Sequence, residues 1–272
     1  MPEIQDIKDD DDNSEINLRS DLDLKTYAFL HFFVALLPIY PIFYFLYLYN
    51  FVFAFNLQLG LVFLPLFVIG ELLFYIAGVV YLTKFVLVLS HWRSKPREGV
   101  NMERDFNSRM VYHYHLRGFV KKFPLWLIVR SPFPFLIKWM FQTFGLYDIG
   151  KNVMIYDCWL GLEFIYLEDN CKIGLGSVLS SHLVDGLNRL TIKRIIMREN
   201  SQLDHYTLVS PGIKIGKHSR VGSKSGIPKL QRVRKNTVYT TGSDNRVFKK
   251  DRKATKLLKK ELKEKRNKES KG

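Results

Sequence analysis

Few residues in this chain could carry out group transfer, and most of them fall in one region. His182 is followed closely by Asp185 and preceded by Glu163. An imidazole titrates near neutrality, so His182 can take a proton from an amine or a hydroxyl, which is general-base chemistry. A carboxylate beside it would fix its tautomer, and Asp185 and Glu163 are the candidates for that role. His205 and His218 come next as possible bases, and the plain alternative for His182 is a solvent-facing corner residue. A zinc site would need three imidazoles around one metal. His182, His205 and His218 occupy the fourth, third and fourth places of the repeat described below, so no metal is expected. His113 and His115 have no third ligand nearby in sequence, which favours a structural or interfacial role. Cys158 and Cys171 are expected to be buried free thiols rather than a disulfide.

The element that must position these residues runs from Ile149 to about Thr241. Every sixth residue from Ile149 to Val233 is aliphatic except Gly161, Asp185 and Thr191. Gly follows the aliphatic at Gly150, Gly174, Gly216 and Gly222, and small residues recur at Cys171, Ser177, Ser201, Thr207, Ser219 and Ser225. Period six fits neither a helix nor a hairpin strand. It fits a parallel β-helix in which each hexad is one flat side, three sides make a coil and the aliphatic residues stack inside. With coils of 18 residues and no insertion, His182 would stack with Asn200 one coil on and His218 two coils on, at about 4.8 Å per coil. Asn200 and His218 are therefore the expected substrate-binding residues.

The runs Val209 to Gly216 and Ile215 to Gly222 resemble the hexapeptide repeats of left-handed β-helix acyltransferases. A second resemblance covers residues 93–228: a basic and aromatic pre-helix, Phe144 to Ile155, Gly161 to Ile165, Leu167 to Gly174, and Ser180 to Gly186. That order is similar to the membrane-embedded β-helix module at the C-terminal end of poly-lysine-type nonribosomal peptide synthetases. In that family a His followed by an acid and Gly sits where the β-helix is interrupted by a less regular strand. His182, Asp185 and Gly186 match it, and Leu190 to Ile196 would be the strand. The resemblance implies that His182 deprotonates an acceptor as it attacks an acyl thioester, and that backbone N–H groups on a coil edge hold the oxyanion. It also implies acyl-CoA or a carrier-protein thioester as co-substrate, with no tightly bound cofactor, and a homotrimer.

Composition places this module at a membrane. From Tyr27 to Phe55 and again to about Leu89 the chain is apolar and aromatic, and about 20 such residues suffice to cross a bilayer. No Lys or Arg lies between the two runs, whereas Arg93, Lys95, Arg97, Arg104, Arg109, Arg117, Lys121 and Lys122 follow them. The positive-inside rule puts both ends in the cytoplasm, as a multi-pass cell-membrane protein. Pro38 and Pro41 should kink the first span, and Glu71 should be protonated or hydrogen-bonded to a tyrosine, with an ion or proton path as the alternative.

The expected division is a disordered acidic tail (1–25), a transmembrane helical hairpin (26–90), amphipathic juxtamembrane helices (91–148), a left-handed β-helix (149–245) and a basic C-terminal tail (246–272). Net charge is +15, and beside two spans this excess favours anionic lipid over nucleic acid as partner. Other expected partners are further copies of the chain and a carrier protein. The expected activity is acyl or aminoacyl transfer to an amine or hydroxyl at the cytoplasmic face. A membrane-tethered β-helix scaffold without catalysis is the alternative.

Overall fold

A computed structural model describes residues 23–145, 147–161, 163–185 and 188–241. Gly186, the basic C-terminal tail and all but the last residues of the acidic tail lie outside the described residues.

Helix α1 (Leu24–Leu36) begins where the Asp23 carboxylate accepts the Thr26 N–H at 3.3 Å. It stops before Pro38, which has no N–H to continue the ladder, and α2 (Ile39–Phe55) resumes directly after it. The first apolar run is thus broken at Pro38, as its prolines require. Asn56 forms the turn, and its side chain accepts the Leu59 N–H at 3.0 Å to start α3 (Leu57–Arg93). Within the stretches 24–55 and 57–93, an 18-residue window reaches a mean hydropathy of 2.0 and 2.3, so each is long and apolar enough to cross a membrane.

The two helices differ along their length. No residue of α2 is buried, and in α3 burial before Ile76 is confined to Gly60. Residues 39–75 therefore form an apolar hairpin that stands clear of the rest except at its last turn, where Leu72 and Tyr75 pack on the core. It is held by the Tyr49 hydroxyl donating to the Gly60 carbonyl (2.6 Å) and the Tyr49 ring stacked on Phe67. From Ile76 onward α3 is packed against protein. The expected hairpin of 26–90 is therefore longer than the part that stands free. Glu71 lies within the free part. Its Oε2 has no hydrogen-bond partner among the described residues, so the expected tyrosine partner is not found. The Tyr75 hydroxyl donates instead to the Ala35 carbonyl.

The segment expected to form amphipathic juxtamembrane helices buries one apolar face in protein and leaves Trp92, Trp126 and Phe135 exposed. It forms a strand (Gly99–Glu103) and helices α4 (Arg109–Val120), α5 (Lys122–Arg130) and α6 (Leu136–Phe144). Ile137, Met140, Phe141 and Phe144 share one face of α6 and join Val153, Ile165 and Leu167 in a single core cluster. This face closes the first coil of the β-domain. A spacing of three and four residues serves lipid and protein equally well, and here the open end of a β-helix supplies the apolar partner.

The β-domain is a three-sided prism of parallel sheets with five, five and four strands. Leu167, Ile173, Leu179, Met197, Leu203, Val209, Ile215, Val221, Ile227 and Val233 all point into it and are at most 3% exposed. Early on, the register slips by one. Leu160 pairs with Leu179 and fills the inward place expected of Gly161. Gly161 instead lets two coils approach, since a Cβ there would sit 2.8 Å from the Ser181 nitrogen.

The stacking of His182 on Asn200 and His218 does not occur. Strand partners are 18 residues apart on most coils, as in Met197↔Ile215, but 30 apart across one, as in Leu167↔Met197 and Ile173↔Leu203. The extra residues leave the prism as an antiparallel hairpin, His182–Asp185 against Arg189–Ile192, and Gly99–Glu103 adds a third strand to it. Opposite His182 stands Ile192. Asn200 and His218 belong to a corner column with Asn152, Asn170 and Asn236, all with φ between 51° and 57°. This is the left-handed region, which Asn tolerates best among residues with a Cβ. Both residues are thus explained by backbone geometry. Replacing Asn200 with Val should lower stability by about 1–2 kcal/mol, read as a fall in unfolding temperature, whereas His218→Asn should leave it unchanged or raised.

Candidate functional site

The hairpin and α4 enclose the candidate site. Tyr114, Arg117 and Lys121 recur at three and four residues, so they share one face of α4 and its C-cap. Val111 and Tyr114 pack on Leu190 and Ile192 of the hairpin, with Met102 and Phe106 at the edge. The apolar contact fixes the helix on the three-stranded sheet. It also carries the polar residues between them into a buried position.

Arg117 is the anchor. It is 1% exposed and Glu163 3%. Its Nε donates to Glu163 Oε1 at 2.5 Å and its Nη2 to Oε2 at 3.4 Å, while Nη1 reaches the Ser94 carbonyl at 3.0 Å and the Ser90 hydroxyl at 3.3 Å. Lys121, also buried, donates from Nζ to the Gly161 carbonyl at 3.2 Å. Burial draws its pKa down to about 7, against the pull of Glu163 and with the push of Arg117. Glu163 is therefore engaged by Arg117 rather than by His182.

Asp185 is not brought to His182 either. Three residues apart on one strand, the two side chains leave opposite faces, and the Asp185 carboxylate accepts from Lys229 Nζ at 2.5 Å. His205 has a backbone duty, its Nδ1 accepting the Leu175 N–H at 3.1 Å.

His182 meets a different set of groups. Its ring lies edge-on to Tyr114, with centroids 5.5 Å apart, and edge-on to His115 at 6.2 Å. Arg104 is anchored beside them by the hairpin turn, where it exchanges backbone and side-chain hydrogen bonds with Asn188. Its guanidinium covers the ring of Phe106, which in turn contacts His115. Burial, reinforced by Lys121 and Arg104, draws His182 down to about 4. Burial, reinforced by His182 and Arg104, does the same to His115. Both imidazoles are neutral at physiological pH. Burial pushes the Tyr114 hydroxyl up, so it stays protonated.

This cluster carries an unusual set of unmet hydrogen bonds. His182 Nδ1, His115 Nε2, the Tyr114 and Ser181 hydroxyls and Arg104 Nε are all buried without a regular hydrogen-bond partner among the described residues. Tyr114 and Ser181 do lie close enough for the serine to moderate the phenol's acidity. A buried polar atom left unpaired costs about 1–3 kcal/mol. Several in one place make this the candidate position for receiving a polar group or ordered water. Two imidazoles, two hydroxyls and two cations there can accept a proton, donate hydrogen bonds and hold developing negative charge.

A groove of about 570 Å³ runs between α5 and the adjoining prism face, lined by Trp126, Trp159 and Tyr206 with Lys122 and Arg130 at its edge. Its wall includes Ser177 and Val178, and the strand that begins there leads to His182 four residues on. The site residues that sequence reasoning passed over are Tyr114, Arg104, Lys121 and Ser181, together with His115, which was assigned a structural role. Tyr114, Arg117 and Lys121 did leave a signal, namely polar groups aligned on one face of an amphipathic helix.

The two histidines set a pH dependence. Unfolded histidines take up a proton near pH 6.5, whereas the folded pair stays neutral to about pH 4. Between those values the unfolded chain holds more protons, so stability falls as pH falls from about 6.5 towards 4. Thermal unfolding in detergent across this range should show that loss, and the double variant His115→Phe, His182→Phe should lose less. An identical slope in both proteins would contradict the assignment.

No family model matches the chain, and no curated protein matches it. Solved structures with partial likeness include a maltose O-acetyltransferase from Clostridium difficile 630, at 16% identity and TM-score 0.40 over 53% of this chain and 89% of that one. A hexapeptide-repeat-containing acetyltransferase from Vibrio cholerae matches at 19% identity and TM-score 0.31 over 34% of this chain. A serine acetyltransferase in complex with CoA matches at 15% identity and TM-score 0.31 over 64% of this chain. The chain spans 56% and 55% of the length of the latter two.

Proposed function

We propose that the protein is a membrane-anchored acyltransferase that moves an acyl or aminoacyl group from a thioester to an amine or hydroxyl, with His182 as general base. The observation that carries this reading is the convergence of unpaired buried groups on His182 where the hairpin leaves the prism. The acceptor's N–H or O–H gives its proton to His182 as its lone pair attacks the thioester carbonyl. The oxyanion that forms is stabilised by Lys121 and Arg104. When it collapses, the C–S bond breaks and the thiolate takes the proton back from His182. The same two cations that depress His182 favour that return, because they make the imidazolium a stronger acid.

The groove beside α5 suits the donor. Aromatic walls and the bases Lys122 and Arg130 would hold a nucleotide or carrier-borne phosphate, leaving a pantetheine arm to run towards His182. Acyl-CoA and a carrier-protein thioester are both compatible with it. The flat prism faces favour assembly of three copies around an axis, and the free apolar hairpin favours a lipid bilayer with both chain ends on its cytoplasmic side. A scaffold without catalysis remains the second reading, favoured by the Asp185 and Glu163 carboxylates being engaged elsewhere.

Two measurements bear on this. With a matched thioester donor, His182→Ala should slow transfer by roughly a hundred- to ten-thousand-fold while leaving the circular dichroism spectrum intact, and activity within a few-fold of wild type would remove His182 as the base. Reporters fused before Tyr27 and after Gly272 should both read as cytoplasmic; an outside reading at either end would overturn the topology.

A further inference from the structure

A second concave region lies on the helical layer, apart from the hairpin. Phe29, Leu30 and Phe33 of α1 face Phe85, Val86 and Leu89 of α3 across a cavity of about 340 Å³. At one end the lining changes to Arg93 and His113. These two, with Arg109, enclose an adjoining cavity of about 270 Å³. The pair forms one apolar slot with a basic mouth.

Among the described residues no carboxylate pairs with the positive charge at the mouth. Arg93 and Arg109 are exposed and make no ion pair among the described residues. His113 is fixed by Ser90, whose hydroxyl lies 3.0 Å from its Nδ1. Burial lowers the His113 pKa, and Arg117, Arg93 and Arg109 lower it further, so the charges acting on His113 from the described residues are positive. The order along α3 also matters. Phe85 to Arg93 rises by about 12 Å, away from the hairpin turn at Asn56, so the apolar slot lies on the hairpin side and the basic mouth on the far side.

We propose that this slot binds one anionic membrane phospholipid, with an acyl chain between α1 and α3 and its phosphate on Arg93, Arg109 and the free edge of His113. The slot is oriented as a lipid would be beside a hairpin inserted in a bilayer, chain towards the hairpin and head towards water. A neutral or zwitterionic lipid could fill the apolar part but would leave the two arginines unmatched. Ser90, which holds His113, also accepts from Arg117, so the mouth adjoins the buried ion pair behind the hairpin site.

This inference rests on the membrane placement proposed above, and the two are separable. The full chain purified in mild detergent is mixed with dioleoyl phosphatidylglycerol, dioleoyl phosphatidylcholine or soluble glycerol phosphate, and bound lipid is read by native mass measurement. Phosphatidylglycerol should be retained roughly thirty-fold better than phosphatidylcholine, the preference that two bases near a surface provide. Arg93→Gln with Arg109→Gln should abolish the preference, and both arginines are exposed, so folding is not at stake. Leu30→Trp, which fills the slot, should lower retention of both lipids. Equal retention of the two lipids by the wild type, or an unchanged preference in the double variant, would overturn the site. Competition by glycerol phosphate as effective as by whole lipid would overturn it in favour of a plain phosphate site. Release of the chain from membranes by alkaline carbonate without detergent would overturn the membrane placement and this site with it, whereas a chain held in membranes yet indifferent to headgroup charge would overturn this site alone.

Discussion

The Arg117–Glu163 ion pair joins the two halves of this molecule. Arg117 belongs to the helical layer, Glu163 to the loop entering the second coil, and both are sealed from water. Taking two charges out of water is expensive and the gain in attraction only offsets it. The pair therefore does more for alignment than for net stability. Removing either partner would strand the other, at about 3–5 kcal/mol. Because Arg117 also binds the Ser90 hydroxyl and the Ser94 carbonyl at the end of α3, one side chain fixes the relation of the apolar hairpin, α4 and the prism. Lys121 and Tyr114, one turn to either side, are placed by the same contact.

The repeat made most of the prism legible and also concealed its main irregularity. Partners across the interrupted coil are 30 residues apart and elsewhere 18, so the insert equals two hexads. A reading by sixes passes through such an insert without losing phase. One trace is a change of residue type at the two places of the repeat that fall in the hairpin rather than in the prism, Asp185 and Thr191. Those exceptions, with the irregular stretch from Leu190, rightly mark a break. They do not say that the break is a hairpin, because the third strand that stabilises it comes from Gly99–Glu103, far away in sequence.

His182 stood out in the sequence because an ionisable ring falls where the regular repeat breaks. Its neighbours were not, because Tyr114, His115 and Lys121 arrive on α4 and Arg104 on the turn after an added strand. Proximity in sequence favoured Asp185, yet alternation along a strand sends that side chain to the other face. The expected stacking of Asn200 and His218 on His182 failed for a related reason. A polar residue at a corner reads as function when only its type is considered, but a run of Asn at positive φ in the same column shows that the turn itself selects it.

The electrostatics of the hairpin site limit the chemistry that would suit it. A triad-like arrangement would place a carboxylate behind the imidazole to stabilise its protonated form. Here both charges that act on His182 are positive, so the protonated ring is a high-energy species and the neutral ring is present at any physiological pH. Such a base is a poor match for a reaction that must store a proton through a long-lived intermediate. It would match one in which proton uptake and return occur around a short-lived anion, because under the proposed reading Lys121 and Arg104 would stabilise the oxyanion while disfavouring the imidazolium. Acyl transfer through a tetrahedral oxyanion has that charge pattern, and under the proposed reading Lys121, which burial brings to about 7, would shift its own proton towards the anion as charge develops.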